Sequence, residues 1–308
     1  MAGLIAVGIG AASGRTQDGT PAAVFRSSVD LVTVTAVVRD ARGRVVRTLS
    51  PRDIEVFDNG VRRPILQLKS ESWAPTSVAL VIDGSGSMVL GGATAAARTI
   101  ARRLLGSLRT GRDQAALFTF DTRLLALQDF TPDLMTVERR LDDVEAWGST
   151  SLYDAVAGSA GWVARRPLHR GAVVVMTDGA DTASRYSAAE VSAIASRIDV
   201  PVYVFAVTAP SEPRAALRAG ELERLATQTG GAYFVAADPR ETVTAIDQLL
   251  EELRYQHVIA FESARTTGWR AIDVRTRKPG LRIRSRTAYE AAASLPSVVA
   301  DQSPSGRR

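Results

Sequence analysis

The chain has 308 residues, 45% of them apolar and 23% charged, with no cysteine and two histidines, His169 and His257. This is the composition of a globular protein with room for one large or two modest domains; it excludes disulfides, thiolate metal sites and cysteine nucleophiles. The net charge of +5 is uneven: 1–70 holds 10 basic and 6 acidic residues and 257–308 holds 10 and 4, which leaves the middle at −5.

Basic flanks suit an anionic surface or nucleic acid, or they are simply a solvated Arg-rich surface. The aromatic content of 6%, without interleaving of aromatic and basic residues, argues against nucleic acid as a partner. At the N-terminus, Gly3 to Ala12 form a short apolar run followed by small and then polar residues. That pattern resembles a secretory signal, although a basic leading segment is missing. Residues 1–26 are therefore expected to be a signal or linker, and the protein to be exported, periplasmic or secreted. The run is well short of the roughly 20 residues that span a membrane, and no other stretch qualifies.

From Val29, "VDLVTVTAVVRD" alternates with period two and is rich in β-branched residues, which predicts a strand. "RVVRTLS" and "DIEVFDNGVRRPILQLKS" continue the pattern, with "DNG" as a hairpin turn. Residues 27–72 thus read as a small all-β unit, too short to bury a good core alone.

At Ser72–Pro75 the character changes, and strands alternate with helices up to residue 256. "SVALVID" and "GAVVVMTDG" are apolar on both faces, as central parallel strands are. "DQAALFTFD", "LLALQDF", "VPVYVFAVT" and "AYFVA" are further strands. Helical spacing recurs in Ala97, Ile100, Leu104 and Leu108, and in Val243, Ile246, Leu250 and Leu253. "TPDLMTVERRLDDVEAW" reads as a helix capped at Thr131 with Pro132 at its first position. The order predicts a doubly wound, mostly parallel α/β sheet over 73–256, with ligands at the carboxyl ends of its strands.

After Gln256 come three β segments, "HVIAFES", "GWRAIDVRTR" and "GLRIRSRTAY". Residues 257–290 are expected to join 27–72 in one β-sandwich, since neither is large enough alone. Residues 291–308 are expected to be a disordered tail.

The chemistry concentrates in "VIDGSGSM". Asp83 ends a buried strand, and Ser85 and Ser87 follow at alternate positions in a glycine-containing loop. One carboxylate and two hydroxyls are hard oxygen donors suited to Mg²⁺, Mn²⁺ or Ca²⁺. On its own, such a stretch is as often a polar turn that caps the next helix. Two further donors fall at the same edge of the proposed sheet: Thr150 in "WGSTSLYDAV" and Asp178 in "VVVMTDGADTAS". Asp154 reads as an acid in a first helical turn, or as a support for the ligands. Asp121 and Asp181 read as loop acids. His169 reads as solvated, and Trp73, Trp147 and Trp162 as core or domain-contact aromatics.

These motifs, Asp83-Gly-Ser85-Gly-Ser87, then Thr150, then Thr-Asp178-Gly, resemble a von Willebrand factor type A domain over roughly 76–255. The flanks resemble those of a bacterial group of related proteins. The resemblance implies a Rossmann-like fold with a metal-ion-dependent adhesion site at its top. Ser85 and Ser87 would bind the metal directly, Thr150 directly or through water, and Asp83 and Asp178 largely through water or through the serines. An open coordination position would accept an Asp or Glu carboxylate from a partner protein.

Enzyme signatures are weak by comparison. "DGSGSM" lacks the nucleophile spacing of a hydrolase, and the only lysines, Lys69 and Lys278, form no phosphate-binding loop. Metal-assisted hydrolysis lacks an evident general base. The expected function is metal-dependent protein binding in adhesion or assembly, without catalysis. The alternative is a structural or assembly protein in which the metal only braces loops and the β flanks bind the partner.

Overall fold

The computed structural model describes residues 31–70, 74–166, 170–179, 181–197, 199–207, 213–236, 238–263 and 267–291. The expectations for the leading segment 1–26, the tail beyond 291, Trp73 and His169 lie outside these residues.

The first strand, β1 (Leu31–Arg39), buries Val34, Ala36 and Val38 and exposes Leu31, as its alternation requires. The expected strand in "RVVRTLS" does not form: Val45 makes one isolated bridge to Arg39, and 46–50 run as irregular chain. The chain then forms β2 (Ile54–Asp58), β3 (Val61–Arg63) and β4 (Ile65–Ser70). Asn59 and Gly60 join β2 to β3 with φ of 47° and 78°, the left-handed pair that a two-residue hairpin needs.

The α/β unit follows with β5 (Thr76–Asp83), α1 (Ala93–Ser107), β6 (Gln114–Phe120), β7 (Leu124–Thr131), α2 (Leu134–Arg139), α3 (Leu152–Ala164), β8 (Arg170–Thr177) and α4 (Ala188–Arg197). It ends with β9 (Val202–Ala206), α5 (Pro213–Gln228), β10 (Tyr233–Val235) and α6 (Pro239–Arg254). The sheet order is β10-β9-β8-β5-β6-β7, parallel except for the edge strand β7. One core lies between the sheet and α1, α2 and α6, built on Leu80, Ile100, Leu104 and Leu249; the other lies under α3 and α4, built on Val81, Phe118, Val156 and Val191. Every residue of β5 is buried, which explains its continuous apolar run.

The helix expected from Thr131 is shorter. Asp133 caps α2, accepting from the Thr136 amide, and the chain tightens into a 3-10 turn at Arg140–Asp143. Leu134, Val137, Leu141 and Val144 are buried all the same, so the apolar stripe was legible while its helical length was not.

The last four strands are β11 (His257–Glu262), β12 (Gly268–Thr276), β13 (Arg282–Ser285) and β14 (Ala288–Ala291). "GLRIRSRTAY" is two strands because the chain changes sheets at Arg286–Thr287. The antiparallel sheets are β13-β1-β11-β4 and β14-β12-β2-β3, each mixing strands from both flanks. Val34, Ile259 and Phe261 of one pack on Val56, Ile272 and Tyr289 of the other. The flanks thus make one sandwich, and the α/β unit is an insertion between β4 and β11, which pair from His257↔Ser70.

Buried polar contacts tie the two units. Glu252 of α6, fully buried, pairs with Arg39 of β1 at 2.7 Å and with Arg284 of β13. Arg286 pairs with Asp199 at 3.3 Å and donates to the carbonyls of Ser196 and Thr33.

Candidate metal centre

In the sheet, β6 lies on one side of β5 and β8 on the other, so the chain reverses direction at β5. The carboxyl end of β5 opens into the crevice where doubly wound sheets hold ligands. Asp83 is its last residue, with no exposed surface. Its Oδ2 accepts from the Thr177 hydroxyl at 2.6 Å, and its Oδ1 accepts from the Ser85 amide at 2.9 Å. The two serine hydroxyls lie 3.1 Å apart, Ser85 buried and Ser87 exposed.

Gly84 is needed for space rather than for an unusual backbone angle. A Cβ there would stand 2.8 Å from the Thr119 hydroxyl and 2.9 Å from the Glu145 carbonyl oxygen. That close approach lets the loop after α2 dock on the loop after β5: Trp147 donates its amide to the Gly84 carbonyl at 2.7 Å, and Gly86 to that of Gly148 at 3.1 Å. Thr150 sits on the same docked loop, just before α3. Its amide donates to the Thr182 hydroxyl, and its carbonyl accepts from the amides of Thr182 and Ala183. Among the described residues its hydrogen bonds are all made by its backbone. Asp178 directly follows β8 and is half-buried, close enough for its charge to act on Asp83.

Asp83, Ser85 and Ser87 are thus joined by direct contacts, Asp178 by charge and chain continuity with Thr177, and Thr150 by the docking of its loop. The serines do not cap α1, which begins ten residues after Asp83 behind Gly92 with no side-chain cap; they sit at the start of a 3-10 turn, Gly86–Gly92, in which the Met88 amide donates to the Ser85 carbonyl at 3.1 Å. Asp154 is turned away from the cluster and pairs with Arg185 at 3.1 Å. Asp181 accepts from the Leu152 amide at 2.9 Å and fixes the start of α3. Asp121 closes its own loop through the Arg123 amide. Trp162 packs edge-on against Phe118 at 5.7 Å. Trp147 is corrected: it is 71% exposed, beside the site rather than in a core.

Sequence reasoning missed Thr177, which holds Asp83. The signal was present: the residue before Asp178 ends a buried strand adjacent to β5, where an apolar side chain is the default. Thr182, which pins Thr150, left no comparable signal.

Burial drives the Asp83 carboxyl up to about 6, with the Asp178 charge adding to it and the bonds from Thr177 and Ser85 opposing it. No Lys or Arg among the described residues forms an ion pair with Asp83. No cluster of three His, Cys, Asp or Glu is found among those residues either; the donors here are two acids and three hydroxyls.

Residues 78–180 match the family model described as "von Willebrand factor type A domain". Over those residues the chain is similar to a von Willebrand factor type A domain. Solved structures are similar to the chain in fold at low identity. The protein BatB from Bacteroides thetaiotaomicron is 16% identical, with a TM-score of 0.50 over 57% of this chain and 98% of that one. Proximal thread matrix protein 1 from the mussel byssus is 14% identical, with a TM-score of 0.51 over 70% of this chain and 50% of that one. A von Willebrand factor type A protein from Catenulispora acidiphila is 10% identical, with a TM-score of 0.48 over 86% and 75%. No curated protein matches the sequence. No helix among the described residues is long and apolar enough to cross a membrane.

Proposed function

We propose that this protein is a metal-dependent protein-binding module of adhesion or assembly, exported from the cytoplasm, in which Asp83, Ser85, Ser87, Thr150 and Asp178 hold Mg²⁺, with Mn²⁺ or Ca²⁺ as substitutes. The observation that carries it is the state of Asp83: a fully buried carboxylate supported only by neutral donors. An isolated buried charge is strongly disfavoured unless a counter-ion compensates it. Oxygen donors of this kind suit a hard divalent cation.

The residues divide the work. Thr177 and the Ser85 amide fix both oxygens of Asp83, and Gly84 lets the Thr150 loop close over the serines. Two carboxylates with neutral hydroxyls leave a bound dication able to attract one more anion, here an Asp or Glu carboxylate of the partner protein. Beside the site, a cleft of about 240 Å³ is lined by Gly84, Leu125 and Trp147, the last two among the most exposed large apolar side chains. Exposed aromatic and aliphatic anchors next to a polar centre are the usual make-up of a protein-binding hot spot. Type A domains commonly serve protein interaction.

Calorimetric titration of the full chain with Mg²⁺ or Mn²⁺ tests the reading. The expected result is one saturable site in the wild type and none in Asp83→Ala. Equal affinity in both would overturn the site.

A further inference from the structure

The sandwich carries a second site of a different kind. A cleft of about 510 Å³, within the usual range for small-ligand pockets, opens where the chain crosses from one sheet to the other at Pro64. Four arginines line it, Arg52, Arg62, Arg63 and Arg277, against one acid, Glu55. Ile54 and Ile65 supply apolar wall. The arginines come from both flanks of the sandwich, Arg52, Arg62 and Arg63 from the first and Arg277 from the second.

The charges are incompletely matched. Arg62 and Arg277 share a single oxygen, Oε1 of Glu55, at 3.2 and 2.8 Å. Arg63 lies 3.4 Å from Asp58, whose carboxylate also serves Arg270 at 2.6 Å, and the Arg63 Nε is buried without a hydrogen bond. Arg52 is exposed and has no ion pair among the described residues. The positions are held by backbone: Asp53 accepts from the Ser50 amide at 2.9 Å on the turn that carries Arg52, and the Arg277 amide donates to the Asp53 carbonyl at 2.8 Å.

We propose that this cleft binds a phosphate group, free or as a monoester. Guanidinium forks match phosphate oxygens in pairs. A dianion with three terminal oxygens can engage several forks together, whereas a lone carboxylate offers two oxygens and one charge, which Glu55 already provides. The competing account is that the arginines and Pro64 only blunt two sheet edges against pairing with other chains. That account predicts no saturable anion site.

The test is calorimetry on the full chain at low ionic strength, where screening is weak, with inorganic phosphate, glycerol phosphate and acetate as separate titrants. Inorganic phosphate is expected to bind saturably at one site, and acetate roughly tenfold more weakly, as fewer charge-assisted bonds are made. Arg52→Gln should weaken phosphate binding by about three- to tenfold with the melting temperature unchanged. Glu55→Gln should tighten it, because two guanidiniums lose their competing partner. Binding of glycerol phosphate as well as inorganic phosphate supports an esterified ligand, and binding of inorganic phosphate alone supports the free ion. Absence of saturable phosphate binding, equal binding of acetate, or affinities unchanged in both variants would overturn the proposal.

Discussion

Four carboxylates are buried among the described residues, and the top of the α/β sheet treats its own differently from the rest of the molecule. Where the sandwich meets the α/β unit, and within the sandwich itself, buried acids are shared between arginines: Glu252 with Arg39 and Arg284, Asp58 with Arg63 and Arg270. At the base of β6, Asp113 has Arg109 at 2.7 Å. At the top of the same sheet, Asp83 has hydroxyls and an amide. Among the described residues, this Arg-rich chain pairs three buried acids with arginines and leaves one, Asp83, without a cationic side chain. Internal pairing makes a joint permanent; a buried acid without such a pair is where an outside ion would act.

The comparison is open to experiment. The largest effect is expected at the joint. Glu252→Ala strands two arginines between the units and should lower unfolding stability by about 3–5 kcal/mol, equally with and without Mg²⁺, as read by urea denaturation. A small or metal-dependent loss would break the contrast. Asp83→Asn should act in the opposite sense. It removes an uncompensated buried charge, so the metal-free protein should be unchanged or more stable by about 1 kcal/mol, while the stabilisation by added Mg²⁺ disappears in thermal melts. A stability loss like that of Glu252→Ala would make Asp83 an ordinary structural acid.

Thr177→Val sharpens the comparison further. It keeps the shape of the strand end but removes the 2.6 Å bond to Asp83. Residues that orient metal ligands typically contribute 10–100-fold in affinity, so Mg²⁺ affinity should fall by about tenfold, with a loss of metal-free stability of about 1–3 kcal/mol from the buried oxygen left without its donor. The smallest effect concerns Asp113. Burial opposes its ionisation, but Arg109 and the amides of Arg109 and Thr76 outweigh it and hold the carboxyl below its ordinary value of 3.8. A depressed carboxyl adds stability that is complete above 3.8 and lost as pH falls through the folded-state value. Asp113→Asn should therefore flatten the acid end of the stability–pH curve while lowering the plateau; a curve of unchanged shape would remove Asp113 from the internally paired group.

Much of this was legible in the sequence. The both-faced apolar runs ending in Asp83 and Thr177 announced central parallel strands, and the alternation in 31–39 announced a half-buried one. The Asn-Gly turn named its own geometry. What stayed hidden depended on neighbours far along the chain. The strand in "RVVRTLS" failed because no second edge was offered to it, and Trp147 was misplaced because an exposed aromatic looks the same in sequence as a buried one. The split of "GLRIRSRTAY" follows from Thr287 donating its amide to the Gln228 carbonyl, a contact with the other unit.

The sequence by itself determined the α/β unit and the need for the two flanks to share a core, because periodicity and propensity are local properties. Only the tertiary structure decided that Thr177 holds Asp83, that Gly84 clears space for the Thr150 loop, and that arginines of the flanks neutralise Glu252 of α6 while none among the described residues pairs with Asp83. Those outcomes rest on separations across the sheet and between units, 213 residues apart for Arg39 and Glu252, where charge compensation depends on distance in space and not on position in the chain.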